Sequence, residues 1–164
     1  MRYPTLFGIE DLEESPITVV RVILQNLEKK VLILRRRSED SFGGLWELPG
    51  GKLTIGESVV EGCSRELKEE SQIFIPDFYG PILMRDPTSD GLRSLWTVEW
   101  YYSAECGTVP VVLSKNHDLF EWIGRGEIQK YQFAFGIDRK LEQFFNGDIL
   151  PRHHNIYCPD AHNE

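Results

Sequence analysis

The spacing of apolar and polar positions predicts several short strands and two helices. Residues 17–25 (ITVVRVILQ) are β-branched and apolar, 26–30 are polar and turn-like, and 31–35 (VLILR) are apolar again. Two such runs around a short polar break predict an antiparallel hairpin. Residues 42–51 hold Gly43, Gly44, Pro49, Gly50 and Gly51, which predicts a loop carrying a short strand at 46–48. Residues 58–71 read as a helix, because Val60, Cys63 and Leu67 fall at i, i+3 and i+7 on one face. Residues 73–75 and 79–84 are strand candidates around a turn at Pro76 and Asp77.

The run 94–104 is rich in Trp, Tyr, Val and Thr and predicts a long strand. Short apolar runs at 109–113 and 119–123 predict two more. Residues 136–145 look helical, with Ile137, Leu141, Phe144 and Phe145 on one face and Gly147 suited to end the helix. Strands, one central helix, more strands and a last helix make an α+β arrangement rather than a regular βαβ repeat. The expected organisation is an N-terminal extension over 1–16, one domain over 17–147 and a C-terminal tail over 148–164.

Composition narrows the class. The 164 residues are 41% hydrophobic and 27% charged, enough for one domain with a real core. No run approaches eighteen apolar residues, so no transmembrane helix is expected. The first fifteen residues carry Glu10, Asp11, Glu13 and Glu14 and lack an apolar signal core. Cys63, Cys106 and Cys158 are few, odd in number and far apart, which fits reduced thiols and a cytoplasmic location. The net charge of −8 gives no basic face for long nucleic acid. A phosphate substrate would then need local Arg and Lys, or a metal ion, against a repulsive background.

The chemistry concentrates in 51–73, GKLTIGESVVEGCSRELKEESQI. At roughly 100° per residue, Glu66 and Glu70 share a helix face with Glu69 beside them, while Val60, Cys63 and Leu67 centre on the neighbouring face. Helical charge runs are usually solvated. Like charges at i, i+4 repel, however, and a divalent cation converts that repulsion into a binding site. Mg²⁺ prefers oxygen ligands and is commonly shared with substrate phosphates. Arg65 could pair with a Glu and hold it in orientation, and Glu57 could fold back toward the same end. Pro49, Gly50 and Gly51 let backbone approach a ligand closely.

In combination these residues resemble the Nudix box: Gly51, then Glu57, then Arg65, Glu66, Leu67, Glu69 and Glu70 at the family's spacing, after the lead-in Leu45-Trp46-Glu47-Leu48-Pro49-Gly50-Gly51-Lys52. The resemblance spans about 17–145. It implies an α/β/α sandwich with a mixed sheet, and hydrolysis of a pyrophosphate bond in a nucleoside diphosphate linked to another group. It implies Mg²⁺ (or Mn²⁺) held by Glu66, Glu69, Glu70 and the Gly50 or Gly51 carbonyl, with Glu57 in the outer shell. Glu66, Glu69 and Arg65 are the expected catalytic residues, with Glu66 as base or ligand and Glu70 as the firmest ligand. One departure stands out: the family usually has Gly two places after the last Glu, and this chain has Gln72, which costs about 1 kcal/mol if a left-handed helix end is kept.

Around the box, Arg35, Arg36 and Lys52 are candidate phosphate contacts. Strand alternation opposes Arg36 to Arg35 and Arg37. Asp118 and Glu121, before and within a Trp-ended strand, resemble the family's further ligand or base. Phe42, Trp46, Tyr131, Phe133 and Phe135 could stack on a base or pack in the core, and Phe133 is the candidate chosen for substrate. Glu99 and Glu105 read as strand-face acids. His153, His154, Cys158 and His162 do not match a zinc-finger spacing.

The lead-in looks like that of members acting on nucleoside triphosphates. Pro87 lies near a position typical of members cleaving ADP-ribose, so nucleotide-sugar pyrophosphatase is an alternative. A nucleotide-binding module without catalysis is another. The expected partner is a nucleotide-type small molecule, with neither long nucleic acid nor membrane. The segments before 17 and after 150 are compatible with a homodimer.

Overall fold

The structure is a computed structural model that describes residues 17–85 and 97–150. The expected extension over 1–16, Pro87, the start of the long strand at 94–96 and the His/Cys tail lie outside the described residues. Among those described, seven strands form one mixed sheet: β1 (Ile17–Gln25), β2 (Val31–Arg36), β3 (Trp46–Glu47), β4 (Gly50–Lys52), β5 (Tyr79–Arg85), β6 (Thr97–Glu105) and β7 (His117–Ile123). The order is β3-β2-β1-β6-β5, with β4 also on β1 and β7 also on β2. β1 and β6 run parallel and the other pairs antiparallel.

The sheet is covered on both faces, as a sandwich requires. Val20, Val22, Leu24, Leu32 and Leu34 face the helix α1 (Val59–Ser71) through Cys63 and Leu67. Ile23, Val31 and Ile33 face α2 (Ile137–Asn146) through Ile137 and Leu141. Burial on both faces explains why β1 and β2 read as continuous apolar runs rather than alternating ones. The α+β arrangement expected from the pattern, and the sandwich that the resemblance implies, are the fold observed.

The differences in detail have local causes. Residues 73–75 and 109–113 are not strands. The second run crosses the end of α1, where the Val112 N–H donates to the Ser71 carbonyl at 3.0 Å. β4 and a 3₁₀ helix at Arg125–Lys130 carry no apolar period and left no mark in the pattern.

α1 begins with a capping box. The Glu61 N–H donates to Ser58 Oγ at 3.1 Å, and the Ser58 N–H donates to Glu61 Oε2 at 3.0 Å. Such a cap contributes about 1 kcal/mol. The helix ends at Gln72 in the left-handed region, φ 60 and ψ 20, its N–H donating to the Lys68 carbonyl. The glycine-type ending is kept without the glycine.

Candidate active site

α1 carries its carboxylates to the place where β1 leaves β2 and takes β4 as partner. The backbone there must come close. A Cβ on Gly51 would fall 2.5 Å from Glu66 Oε1, and a Cβ on Gly50, at φ 155, would fall on the Val20 carbonyl. Only glycine permits both approaches. The Gly50 N–H donates to Glu70 Oε1 at 3.2 Å, tying the turn to the last turn of the helix.

Glu70 is only 6% exposed. Its neighbours are Glu47 of β3 and His117 of β7, both buried, and donor atoms from all three lie within 4.8 Å of one another. The His117 Nε2 is 2.8 Å from Glu47 Oε1 and 3.6 Å from Glu70 Oε2. Burial would raise the Glu47 carboxyl, but the His117 hydrogen bond and the Arg21 and Arg36 guanidinium groups hold it below the ordinary range. Glu70 has no such set of partners. Burial, then the Glu47 and Glu66 charges, push its carboxyl well above the ordinary value.

Two buried polar atoms here, Glu70 Oε2 and His117 Nδ1, have no hydrogen-bond partner among the described residues. Buried polar atoms are normally satisfied. An orphaned carboxylate oxygen beside two more carboxylates and a ring nitrogen is a donor set that fits a divalent cation.

A second group of residues holds the first in place. Arg65 donates from Nε to Glu57 Oε1 at 2.6 Å and from Nη2 to Glu57 Oε2 at 3.1 Å. It also reaches Glu66 Oε1 at 3.0 Å, Glu69 Oε2 at 3.2 Å and the Lys52 carbonyl at 3.1 Å. This one guanidinium links the loop before α1 to the carboxylate beside Gly51. Its hydrogen bonds pull the Glu57 carboxyl down to about 2.

Of the expected site residues, Glu66 and Glu70 converge with Gly50 and Gly51. Glu57 and Glu69 are drawn instead to Arg65, with the Glu69 side chain 59% exposed. Arg36 donates to Glu47 at 3.1 Å and to the Ser41 carbonyl at 3.0 Å, which puts it at the rim of the cluster. Arg35 points elsewhere and is gripped by Asp118 at 2.8 and 3.1 Å. Lys52 is exposed at the end of β4. Phe133 is half-buried against the α2-side core, next to Tyr131 at 6.3 Å between ring centroids.

Glu47 and His117 are not among the site residues expected from the sequence. A β-bulge brings His117 in: Arg35 pairs with Leu119 and Arg36 with His117, so Asp118 is the extra residue. The bulge breaks the alternation and turns His117 toward Glu47 while Asp118 goes out to Arg35.

Charge continues through the sheet. Arg21 lies 3.5 Å from Glu47 and 3.1 Å from Glu99. Glu99, read from sequence as a strand-face acid, is instead buried between Arg21, Arg85 at 3.0 Å and the Tyr101 hydroxyl at 2.8 Å. The register supplies the reason, since parallel pairing of Arg21 with Tyr101 sets Glu99 diagonally beside Arg21.

Comparison with known proteins agrees with this geometry. A family model described as the NUDIX domain matches residues 16–144. A Nudix hydrolase of Bacillus subtilis (strain 168), YvcI, itself uncharacterized, is 28% identical over 144 residues, which cover 87% of each chain. The CTP pyrophosphohydrolase of Escherichia coli (strain K12) is 27% identical over 128 residues, covering 78% of this chain and 90% of the relative. Among solved structures, the MutT protein of Methanosarcina mazei Go1 aligns with a TM-score of 0.66 at 26% identity, covering 82% of this chain and 96% of its own. None of the helices of the described residues is long and apolar enough to cross a membrane. A family model matched over most of the length, with hydrolases among the relatives, leaves one conclusion: the chain belongs to the Nudix hydrolase family.

Proposed function

We propose that this Nudix hydrolase cleaves the pyrophosphate bond of a nucleoside triphosphate, with Mg²⁺ or Mn²⁺ held by Glu66 and Glu70 beside the Gly50–Gly51 turn. The reading rests on one observation, the unpartnered buried oxygen of Glu70 next to Glu66 at a glycine turn. The CTP pyrophosphohydrolase relative supports the substrate class. When bound, such an ion neutralises charge on the phosphate oxygens and lowers the pKa of the attacking water.

The chain's own residues do the rest. Glu66, held by Arg65 at 3.0 Å, would accept the proton of the attacking water. Arg65 is a positioning residue that acts through Glu57 and Glu66. The Gly50 N–H fixes one Glu70 oxygen, and the other, which has no hydrogen-bond partner among the described residues, would be available to hold the ion. Lys52 and Arg36 flank the cluster as cations for substrate phosphate in a chain of net charge −8. His117 is a further candidate donor, and its nitrogen suits Mn²⁺ better than Mg²⁺.

The test is a panel of nucleoside triphosphates, dinucleoside polyphosphates and nucleotide sugars with Mg²⁺ or Mn²⁺, scored for released phosphate or pyrophosphate. Metal-dependent turnover of triphosphates, lowered at least 100-fold in Glu66→Gln, is expected from loss of a general base. Full activity in Glu66→Gln and Glu70→Gln alike would sink the assignment.

A further inference from the structure

We propose that Phe42, anchored on Phe135, is the platform on which the base of the nucleotide substrate stacks. The inference rests on the nucleotide reading above and adds the residue that binds the base.

Two phenylalanines far apart in sequence both sit in the left-handed backbone region, Phe42 at φ 62 and Phe135 at φ 55. A side chain with a Cβ is strained there, and such strain collects at functional sites. The two rings meet each other, 4.7 Å between centroids and edge to face. Phe42 is nevertheless 55% exposed. Core packing therefore does not explain it. A turn that needs this backbone would take Gly or Asn without strain. The turn around it is tightly wound: the Gly43 N–H donates to the Asp40 carbonyl and the Leu45 N–H to the Phe42 carbonyl, and a Cβ on Gly43 would strike the Ser38 carbonyl. The ring is thus left facing water on a hydrogen-bonded turn.

The platform is built from below and tied to the catalytic cluster twice. The Arg21 and Arg85 guanidinium groups each lie 5.9 Å from the Phe135 ring centroid. Both are already held by Glu99, so they brace the ring rather than reach for a ligand. Arg21 also touches Glu47. On the other side, Arg36 donates to the Ser41 carbonyl, adjacent to Phe42, and to Glu47. The exposed aromatic therefore stands one side chain from the cluster by way of Arg36, and two by way of Phe135 and Arg21. An aromatic face accepts any base and offers contact area rather than a hydrogen-bond pattern. Purines, with the larger ring, should gain most. Phe133, the aromatic expected at the substrate, is half-buried beside Tyr131 and the α2-side core.

The experiment is titration calorimetry of α,β-imido analogues of GTP, ATP and CTP, with imidodiphosphate as a base-free control, on the full chain and its Phe42 variants. Phe42→Ala is expected to weaken the nucleotide analogues roughly 5- to 100-fold, purines most, and to leave imidodiphosphate unchanged. Phe42→Trp should retain binding. Phe42→Gly relieves the backbone, so its unfolding midpoint should stay level or rise while nucleotide binding falls.

Equal losses for imidodiphosphate and nucleotides, unchanged nucleotide binding in Phe42→Ala, or a midpoint drop in Phe42→Gly would each overturn the proposal. Phe42-dependent binding without hydrolysis of the natural triphosphates would sink the proposed reaction and leave the platform standing. Hydrolysis with Phe42-independent binding would do the reverse.

Discussion

Replacing Glu70 by Gln removes one buried negative charge and keeps the side chain's shape. The Gln carbonyl can still accept the Gly50 N–H that now reaches Glu70 Oε1 at 3.2 Å. What disappears is the repulsion with Glu47 and Glu66 and the orphaned Oε2. A buried polar atom left unsatisfied costs about 1–3 kcal/mol. Without metal, Glu70→Gln should therefore be more stable than the parent at pH 8, by about 1–2 kcal/mol. That corresponds to a Tm higher by roughly 2–8 °C for a chain of this size.

The gain depends on pH. Burial and then the neighbouring charges hold the Glu70 carboxyl above its ordinary value, so the folded state takes up that proton more readily than the unfolded chain. The stability linked to the proton is complete below about pH 4, the unfolded value. It is lost as pH rises through the folded value, so the two proteins should have equal Tm at pH 4 and diverge above it. Adding Mn²⁺ should raise the Tm of the parent and leave the variant nearly unmoved. Thermal scans from pH 4 to 8, with and without Mn²⁺, measure all of this. A variant less stable than the parent at pH 8 without metal, or an equal response of both to Mn²⁺, refutes the reasoning.

Other perturbations test separate parts of the account. Gln72→Gly should stabilise the fold by about 1 kcal/mol, since a non-glycine residue holds a left-handed helix end, and urea unfolding would show it. Gly51→Ala would place a methyl 2.5 Å from Glu66 Oε1, and steady-state kinetics should find kcat down by about 100-fold from the displaced carboxylate. Arg65→Lys loses the two-point grip on Glu57 and should lower kcat roughly 10- to 100-fold as a change one layer behind the reacting groups. Its Tm should move little, because partly exposed ion pairs contribute under about 1 kcal/mol.

The sequence carried the parts of this molecule that depend on local order. The hairpin, α1, and α2 with Gly147 at its end follow from period and helix-stop chemistry in neighbouring residues. The convergence of Glu66 and Glu70 with the glycine turn follows from helical spacing and a short loop. What could not be read depends on pairing between distant strands. Glu47 and His117 meet only because β3 and β7 both pair with β2, and His117 faces inward only because of the bulge at Asp118. Arg21 and Glu99 gave a faint signal, as opposite charges inside apolar runs that must be buried on both faces. That pattern demands a partner but does not name it. The burial of Glu70 was hidden for the same reason, because residues from β3 and β7 cover it.

Glu66 and Glu70 are proposed to hold a doubly charged ion against the Gly50–Gly51 turn. Anomalous diffraction at the manganese edge, from crystals soaked with Mn²⁺ and an α,β-imido nucleoside triphosphate, tests it most directly. The expected map has a peak between those two carboxylates with phosphate oxygens on the same ion. A map with manganese elsewhere, and Glu66 and Glu70 turned away from each other, would contradict it.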